Sequence, residues 1–405
     1  MNRTIEQLPA ACDVLVAGAG PAGSAAATML ARAGLDVALI DQHAFPRDKV
    51  CGDALIPDAH RALARLGALD AVLREARRAT HLTCVAPGGG SVDVPGMLAV
   101  LARKRLDQIV CRHAVEAGAS MHAPVRLIAA LEQDGRVVGA RLAHGGRERE
   151  IGCRWLVLAT GAVPSALQAC GMLERRPPSA MAMRGYLRNP GVEHATLEFA
   201  CRPEVRGGYG WIFPMPDGVF NVGVGRFGLR GEHPDGRTPN LRQSFDAFMS
   251  AHPAARRLLD GGEWVAPPKG APLRCSLDGA TLARPGLLVT GEAAGSTYAF
   301  TGEGIGKALE TGMLAAQVIA QAITEDRDDA DTCAAYAGAL LALRPRFSMY
   351  RRAEAMTRQA WLADLLIWRA RHSERLRRRL SGVLEETSNP GTLMSLKGVA
   401  RLLFG

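Results

Sequence analysis

The sequence predicts an α/β fold: a split, Rossmann-like nucleotide-binding domain, an inserted antiparallel β-sheet and a helical C-terminal region. Three observations predict this architecture. The segment Asp13–Gly23 runs from aliphatic residues into a glycine turn, as the first buried strand of such a domain does. The segment Gly286–Gly291 has the same character. Residues 173–275 lie between them and form short strand-like segments, which favour an antiparallel insert.

The first strand leads into a turn formed by Gly18, Gly20, Pro21, Ala22 and Gly23. The first glycine of such a motif permits a tight turn, the second lets the backbone approach a pyrophosphate, and the third lets the next helix pack closely. The predicted helix, Ser24–Ala33, turns its positive N-terminal end toward the phosphates. Asp41 follows the second strand and suits the hydroxyls of an adenosine ribose. This unit therefore predicts a dinucleotide site.

The chain divides into three predicted regions. The nucleotide-binding domain is discontinuous and takes residues 1–75, 101–172 and 276–328. A β-rich substrate domain takes residues 76–100 and 173–275, and the helical C-terminal region takes residues 329–405.

Composition and local pattern argue against a membrane-spanning protein, a secreted protein and a metal site. No apolar run approaches the ~18 residues that a membrane-spanning helix needs, and no signal-peptide core precedes the first strand. We therefore expect a cytoplasmic protein. The nine cysteines are scattered without metal-binding spacing, so reduced thiols and no metal site are expected.

The positive charge is concentrated in residues 344–379. This segment holds eleven arginines and three acidic residues, which accounts for +8 of the net charge of +9. Trp361 and Trp368 are interleaved with the arginines, a pattern that suits an anionic membrane surface and a peripheral position at the inner membrane face. An acidic carrier protein, phosphates on a prenyl substrate, or a solvated helix face are the alternatives. Nucleic acid is not expected, because no recognition module is present.

Several further motifs are spread along the chain: Pro46-x-x-x-x-Cys51-Gly52, Arg103-x-x-Leu106-Asp107, Ala159-Thr160-Gly161, Tyr209-x-Trp211-x-Phe213-Pro214, Gly291-Glu292-x-x-Gly295 and Gly302-x-Gly304. Together with the glycine turn, they resemble the geranylgeranyl reductase family of flavoproteins, within the p-hydroxybenzoate-hydroxylase-like FAD-dependent oxidoreductases. The resemblance covers about residues 1–325 and implies that the split domain binds FAD. Two positions depart from the family pattern: Glu292 replaces the usual aspartate and Ala299 the usual proline.

The resemblance implies a set of FAD-binding residues: Gly18, Gly20, Pro21, Ala22, Gly23, Asp41, Gln42, Lys49, Cys51, Gly52, Arg103, Ala159, Thr160, Gly161, Gly291, Glu292, Gly302, Gly304 and Ile305. Backbone N–H groups of residues 302–305 would face the flavin and stabilise its reduced form. The second glycine motif, Gly223-x-Gly225-x-x-Gly228, opens no helix and is not expected to bind a nicotinamide. NAD(P)H or a reduced protein donor is therefore expected to supply electrons transiently.

Tyr209, Trp211 and Phe213 alternate along one predicted strand, so their side chains share a face. They predict either the wall of a pocket for a long or flat apolar substrate or ordinary packing of the sheet. Tyr209 is also a candidate proton donor. Cys51 is interpreted either as a gate or reactive group near the flavin or as a small apolar residue in a turn.

The leading hypothesis is an FAD-dependent oxidoreductase that reduces carbon–carbon double bonds of an isoprenoid or other lipid-like substrate. The alternative is a monooxygenase or a dehydrogenase of secondary metabolism. Among monooxygenases, hydroxylation is favoured over halogenation, because Tyr209 and Phe213 replace the first tryptophan and the isoleucine of the halogenase pattern Trp-x-Trp-x-Ile-Pro. An electron-transfer flavoprotein ranks lowest, since the chain has no ferredoxin-like cysteine cluster.

Overall fold

The structure is a computed structural model, and it describes residues 2–173, 178–228, 240–278, 281–353 and 359–392. Its strands are β1 Ala11–Ala17, β2 Val37–Ile40, β3 Ala54–Leu55, β4 Arg77–Val85, β5 Ser91–Val100, β6 Ser120–His122, β7 Arg126–Gln133, β8 Arg136–His144, β9 Arg147–Leu158, β10 Ala180–Arg188, β11 Leu197–Ala200, β12 Gly208–Pro214, β13 Val219–Phe227, β14 Glu263–Leu273, β15 Ala283–Arg284 and β16 Leu287–Val289. Its α-helices are α1 Pro21–Arg32, α2 Pro57–Leu66, α3 Leu69–Glu75, α4 Arg103–Glu116, α5 Ser165–Ala169, α6 Leu241–Ala251, α7 Pro253–Leu259, α8 Ile305–Thr324, α9 Asp329–Leu341, α10 Arg344–Ala353, α11 Ala360–His372 and α12 Glu374–Leu384.

The first sheet is the predicted Rossmann-like layer. Strands β16, β9, β1, β2 and β6 run parallel in that order, and the hairpin β7–β8 extends the sheet antiparallel from β9. All four residues of β2 are buried, because helices cover one face of the parallel sheet and the hairpin and α5 cover the other. The carboxyl end of β1 therefore delivers the glycine turn to the edge where ligands bind such sheets.

The second sheet has the strand order β14-β10-β13-β12-β11-β4-β5-β3. Its neighbouring strands are antiparallel except for the parallel pair β11–β4. One face packs under α6 and α7 through Ile212, Val222, Phe245 and Phe248. The opposite face carries the aromatic side chains of β12. Successive side chains of this strand therefore point in turn to the core under the helices and to the cavity.

Helices α1 and α8 pack against each other at close range. A Cβ on Gly312 of α8 would lie 2.1 Å from the carbonyl oxygen of Ala22, so the helix backbones almost touch there. Helix α1 begins at Pro21, earlier than the predicted start at Ser24, with Gly20 as its N-cap. Proline suits this first helical position, because the N–H that it lacks would have no helical partner. The approach fixes the glycine turn relative to the start of α8.

The C-terminal helices α11 and α12 pack on β4 and β5 of the second sheet. Leu362, Leu366, Leu376 and Leu384 are buried against Val94 and its neighbours. The basic segment is therefore amphipathic, with an apolar face inside the protein. Within the described ranges, every helix is too short or too polar to cross a membrane.

Candidate functional site

The glycine turn after β1 leaves no space for side chains. Gly18 has a φ of +106°, and a Cβ there would lie 2.4 Å from the carbonyl oxygen of Ala159. A Cβ on Gly23 would lie 1.8 Å from the carbonyl oxygen of Gly18. Only glycine fits both positions, and the result is a backbone cradle at the N-terminus of α1. Such a terminus presents free N–H groups and partial positive charge to an anion.

Two arginines flank this cradle. The Nη2 atoms of Arg47 and Arg103 lie 3.5 Å and 3.7 Å from the Cβ position of Gly20. Arg103 binds Asp107 through two hydrogen bonds of 2.6 Å and 2.8 Å, and Arg47 donates to Asp107 at 2.9 Å and to Asp41 at 3.2 Å. These contacts orient both guanidinium groups beside the helix N-terminus. The arrangement has the charge and the donors to hold a pyrophosphate.

The resemblance identified Arg103 in advance but not Arg47. The only sequence signal for Arg47 was its position in the loop between Pro46 and Cys51. Its partner Asp107 lies 60 residues away in sequence, so the contact depends on the fold.

Asp41 is buried at the edge of the cradle, with 6% of its surface exposed. Besides Arg47, it accepts hydrogen bonds from the backbone N–H groups of Ala19 at 3.1 Å and His43 at 3.0 Å. Asp41 therefore ties the strand-end loop to the glycine turn. The predicted contact of Asp41 with a ribose stays a prediction.

One cavity of about 770 Å³ brings nearly all the predicted site residues together. The predicted residues in its wall are Gly18, Gly20, Pro21, Ala22, Asp41, Gln42, Lys49, Cys51, Gly52, Arg103, Ala159, Thr160, Gly161, Tyr209, Trp211, Phe213, Glu292, Gly302, Gly304 and Ile305. Gly23 and Gly291 lie outside the wall. Because they carry no side chain, Gly23 of α1 packs closely on the Gly18 carbonyl, and Ala22 of α1 packs closely on Gly291. The buried Thr160 hydroxyl in the wall has no hydrogen-bond partner, which fits a bound polar group.

The aromatic side chains of β12 form a wall of the cavity. Trp211 lies between Tyr209 and Phe213, with ring centroids 6.1 Å and 6.2 Å away. Gly52 of the cysteine loop packs on this wall, since its Cβ position lies 3.4 Å from Phe213 and 3.7 Å from Trp211 Nε1. The fold thus joins the cysteine loop and the aromatic strand, two motifs far apart in sequence.

The second glycine motif has a packing function in this wall. Gly223 and Gly225 lie inside β13, directly opposite Trp211 and Tyr209 of β12. A Cβ on Gly223 would lie 2.2 Å from Trp211 Cζ2. The two glycines therefore make room for the aromatic rings, and the motif does not sit at a strand–helix turn as a nicotinamide site requires.

A buried hydrogen-bond network holds the cysteine loop against the second sheet. Asp53, fully buried with a φ of +65°, accepts hydrogen bonds from the Tyr186 hydroxyl at 2.6 Å and the Asn221 side chain at 2.8 Å. Asn221 also donates to the Cys51 carbonyl at 2.8 Å and accepts from Trp211 Nε1 at 2.9 Å. Burial raises the pKa of Asp53 to about 6 although these donors oppose the shift.

Cys51 lines the cavity. Burial, followed by the neighbouring Asp53 carboxylate, raises the pKa of Cys51, so this environment disfavours the thiolate. The sequence could not reveal this network, because Asn221 and Asp53 are 168 residues apart.

The loop before α8 forms a further part of the cavity wall. The Tyr298 N–H donates to the Glu303 carbonyl at 2.9 Å, and the Gly302 N–H donates to the Tyr298 carbonyl at 3.1 Å. The Tyr209 hydroxyl donates to the Thr301 carbonyl. These bonds place the N-terminus of α8 beside the aromatic wall.

The environment of Tyr209 does not favour its predicted function as a proton donor. Its hydroxyl hydrogen is engaged by Thr301, and burial, followed by the Glu303 carboxylate, raises the pKa of Tyr209 further above its ordinary value. A phenol in this state is a weaker acid than an exposed tyrosine.

Another part of the cavity wall is apolar, and we call this part of the cavity the tunnel. One side is formed by Leu82, Cys84, Val94 and Leu98 of β4 and β5, and the other by Ala363, Leu366, Ile367, Leu380, Val383 and Leu384 of α11 and α12. From the sequence, the basic segment was expected to lie on a membrane surface or a partner, or to present a solvated helix face. In the structure, the apolar face of these helices completes the cavity. No local pattern reveals this contact, because β4 and α11 are far apart in sequence.

Comparison with known proteins agrees with this geometry. Residues 11–183 match the family described as FAD binding domain. The chain is 34% identical over 329 residues to a menaquinone reductase of Mycolicibacterium smegmatis, and the match covers 76% of each protein. It is 31% identical over 337 residues to digeranylgeranylglycerophospholipid reductase 2 of Methanopyrus kandleri, with 80% of each covered.

Solved structures share the fold at lower sequence identity. A geranylgeranyl bacteriochlorophyll reductase-like protein from Thermoplasma acidophilum superposes with a TM-score of 0.73 at 22% identity, covering 97% of this chain and 96% of that chain. A flavin-dependent brominase superposes with a TM-score of 0.71 at 19% identity, covering 97% of each chain. The predicted FAD cofactor and the predicted fold class are confirmed. With its cradle, its flanking arginines and relatives that match over three quarters of their length, the chain belongs to the geranylgeranyl reductase family of FAD-dependent oxidoreductases.

Proposed function

We propose that this protein reduces carbon–carbon double bonds in the isoprenoid chain of a lipid-like substrate. The observation that carries the proposal is the continuity of the cavity, which leads from the glycine cradle past the aromatic wall into the apolar tunnel. A tunnel of this kind accommodates a long apolar chain and excludes water. The names of the relatives support it, because both menaquinone and digeranylgeranylglycerophospholipid carry isoprenoid chains.

Each part of the cavity has a proposed task. The cradle and the arginines hold the pyrophosphate of FAD, and the residues predicted above to bind FAD line the remainder of the cofactor. Bound and reduced, FAD supplies the hydride. Tyr209, Trp211 and Phe213 position the substrate, and Cys51 lies beside them. Because the protein's share is mainly orientation and dehydration, rigid contacts such as the Trp211–Asn221 hydrogen bond matter most.

The electron donor in this proposal binds transiently. Gly223 and Gly225 are occupied in packing β13 against aromatic rings, and they offer no nicotinamide site. NAD(P)H or a reduced protein therefore delivers electrons during a brief encounter with the cofactor end of the cavity.

We propose further that the outer face of α11 and α12 lies on an anionic membrane surface. Trp361 and Trp368 are 55% and 53% exposed, and their spacing of seven residues places them on one side of α11. Arg371, Arg375 and Arg378 are exposed nearby. Exposed tryptophans with arginines favour the lipid interface. The inner face of the same helices lines the tunnel, so a lipid substrate would have a short path into the cavity.

Product mass distinguishes the possible reactions. The FAD-loaded protein is reduced in the absence of oxygen and mixed with menaquinone or a geranylgeranyl lipid. The molecular masses of the products are then measured by mass spectrometry for reactions with and without oxygen. We expect a gain of two hydrogen atoms per double bond in the absence of oxygen. An oxygen-dependent gain of one oxygen atom would instead identify a monooxygenase.

The tunnel itself is tested by filling it. Ile367→Trp places a large ring in the tunnel wall, so long isoprenoid chains should lose turnover more than short ones. Leu365→Trp on the same helix is the matched control, because Leu365 does not line the cavity. Equal turnover by the two variants with long chains would contradict the tunnel.

Vesicle sedimentation tests the membrane surface. Arg375→Gln combined with Arg378→Gln should weaken binding to vesicles that contain phosphatidylserine, by about 1 kcal/mol per arginine. Arg256→Gln combined with Arg257→Gln removes the same charge from exposed positions on α7 and should have little effect. Equal binding by both double variants would remove the membrane proposal.

A further inference from the structure

A cluster of acidic side chains surrounds one buried lysine at the start of α8. Lys307 Nζ lies 2.7 Å from Glu310, 2.8 Å from Glu386 and 3.6 Å from Asp58, and its side chain is 2% exposed. Arg346 adds a second cation, 3.0 Å from Glu310 and 3.5 Å from Glu386. We call these residues, together with Glu303, the Lys307 cluster.

Glu303 is the carboxyl group of the cluster that lacks a cation of its own. Among the residues that the structure describes, no ion pair includes Glu303, and its buried Oε2 atom has no hydrogen-bond partner. The lysine is already shared by three other carboxylates. A carboxylate that is buried without a cation of its own is costly, so protonation is favoured, although Lys307 and the Thr301 hydroxyl oppose it for Glu303. Burial, followed by the charges of Asp58 and Glu386, raises the pKa of Glu303 well above its ordinary value.

Glu303 also lines the cavity that the proposed reaction would use. It belongs to the cavity wall between Gly302 and Gly304, and Gly302 faces the aromatic wall, with its Cβ position 2.7 Å from the Tyr209 hydroxyl. The cavity wall also includes Asp58 of the same cluster and Val383 and Leu384 of the tunnel. Glu303 therefore lies in the wall of the chamber that the cofactor end and the lipid tunnel share.

We propose that Glu303 is the proton donor of this enzyme, supplying the proton that completes saturation of the substrate double bond. The inference rests on the proposed reductase function and assigns to Glu303 the task first considered for Tyr209. As the π bond breaks, one carbon gains the hydride that the reduced cofactor supplies, and the other gains the proton of Glu303. The cofactor is oxidised by two electrons and the substrate is reduced by two. Glu303 remains as a carboxylate and regains a proton from water.

The protonation of Glu303 depends on the charged and titratable groups of the Lys307 cluster and of the described residues beside it. These groups are Asp58 and Arg61 of α2, Tyr209 of β12, Tyr298 of the preceding loop, Lys307 and Glu310 of α8, Arg346 and Tyr350 of α10, and Glu386 after α12. The carboxyls outnumber the two buried or half-buried cations of the cluster, so the surroundings favour a neutral Glu303. Turnover should consequently fall as pH rises through the pKa of this carboxyl.

Infrared spectroscopy and single-turnover kinetics test the assignment on the FAD-loaded, full-length protein. Near neutral pH, the wild-type protein should show a protonated-carboxyl band that Glu303→Gln lacks and Glu303→Asp restores in part. Glu303→Gln should bind FAD and accept electrons normally but saturate the isoprenoid substrate about 10²–10⁴-fold more slowly, and its rate should lose the decline at high pH.

Glu325→Gln is the matched control, since Glu325 directly follows the same helix but is exposed and lies outside both the Lys307 cluster and the cavity wall. It should retain both the band and most of the single-turnover rate. A carboxyl band unchanged in Glu303→Gln, or a wild-type rate of saturation in that variant, would overturn the proposal. Failure of the proposed function has another signature: the wild-type protein itself would leave isoprenoid substrates unsaturated, and the assignment of Glu303 would fall with it.

Discussion

Two buried charge networks border one cavity and differ in their balance of acids and cations. The network at the glycine cradle pairs Asp41 and Asp107 with Arg47 and Arg103. The Lys307 cluster sets four carboxyl groups against one buried lysine and one half-buried arginine. Both networks are anchored on helix starts, α4 in the first case and α8 in the second.

The difference shows how burial of charge can serve two purposes. In the cradle network each acid has a guanidinium partner, so the charges hold one another in place and aim donors at an anion. In the Lys307 cluster the acids exceed the cations, so part of the charge must be removed by protons. The first network suits binding and the second suits proton transfer. Three substitutions test this contrast.

The largest effect is expected where the balance of the cradle is broken. Asp107→Ala leaves Arg103 and Arg47 without their shared carboxylate and should lower the free energy of unfolding by about 3–5 kcal/mol, as for other broken buried ion pairs. Bound FAD should recover part of this loss, because its phosphates would face the same guanidinium groups. Urea unfolding with and without FAD measures both effects.

The control for this prediction is Asp246→Ala. Asp246 pairs with Arg242 at the same helical spacing, but both side chains are more than half exposed, so the change should cost under about 1 kcal/mol. Similar losses at the two sites would show that burial does not set the strength of the cradle network.

An intermediate effect is expected for Lys307→Met, and it should depend on pH. Burial raises the pKa of Asp58 from 3.8 to about 6, and Lys307 opposes this shift. A raised native pKa means that the stability associated with the protonated group is complete at low pH and is lost as pH rises through about 6. Without Lys307 the pKa rises further, so the variant should lose about 3 kcal/mol at mildly alkaline pH and less near pH 5.

Thermal unfolding of Lys307→Met across this pH range gives the result. Lys269→Met serves as the control, since Lys269 is 58% exposed and 3.8 Å from Asp48. A loss of stability in Lys307→Met that is the same at every pH would contradict an excess of acid in the Lys307 cluster.

The smallest effect is expected for Arg346→Gln. Arg346 contacts Glu310 and Glu386, but its side chain is 35% exposed, so water replaces much of what is lost. The free energy of unfolding should fall by under about 1 kcal/mol, which calorimetry near neutral pH can resolve. A loss as large as that of Lys307→Met would mean that the two cations contribute equally despite their different burial.

The sequence predicted the parts of the fold that depend on neighbouring residues. The β1–α1–β2 unit and the shared face of Tyr209, Trp211 and Phe213 both follow from local periodicity or turn chemistry. The resemblance added FAD and the family, both of which the comparisons confirm.

The missed features depend on contacts across the fold. Arg47 and Asn221 gain their significance from hydrogen-bond partners, and Glu303 from neighbouring charges, that come close only when segments distant in sequence have folded together. The basic segment was interpreted from its charge, whereas its apolar side lines the tunnel. Local pattern identifies an amphipathic helix but not the surface that its apolar face will meet.

The pairing of β12 with β13 has a consequence for protein engineering. Trp211 and Gly223 face each other so closely that a single methyl group at Gly223 would enter the volume of the indole ring. A library that varies one of these positions alone would therefore contain mostly variants in which the new side chain clashes with its neighbour or leaves an unfilled space beside it. Reshaping the cavity for a different lipid requires exchanging the two residues jointly, as a large–small pair.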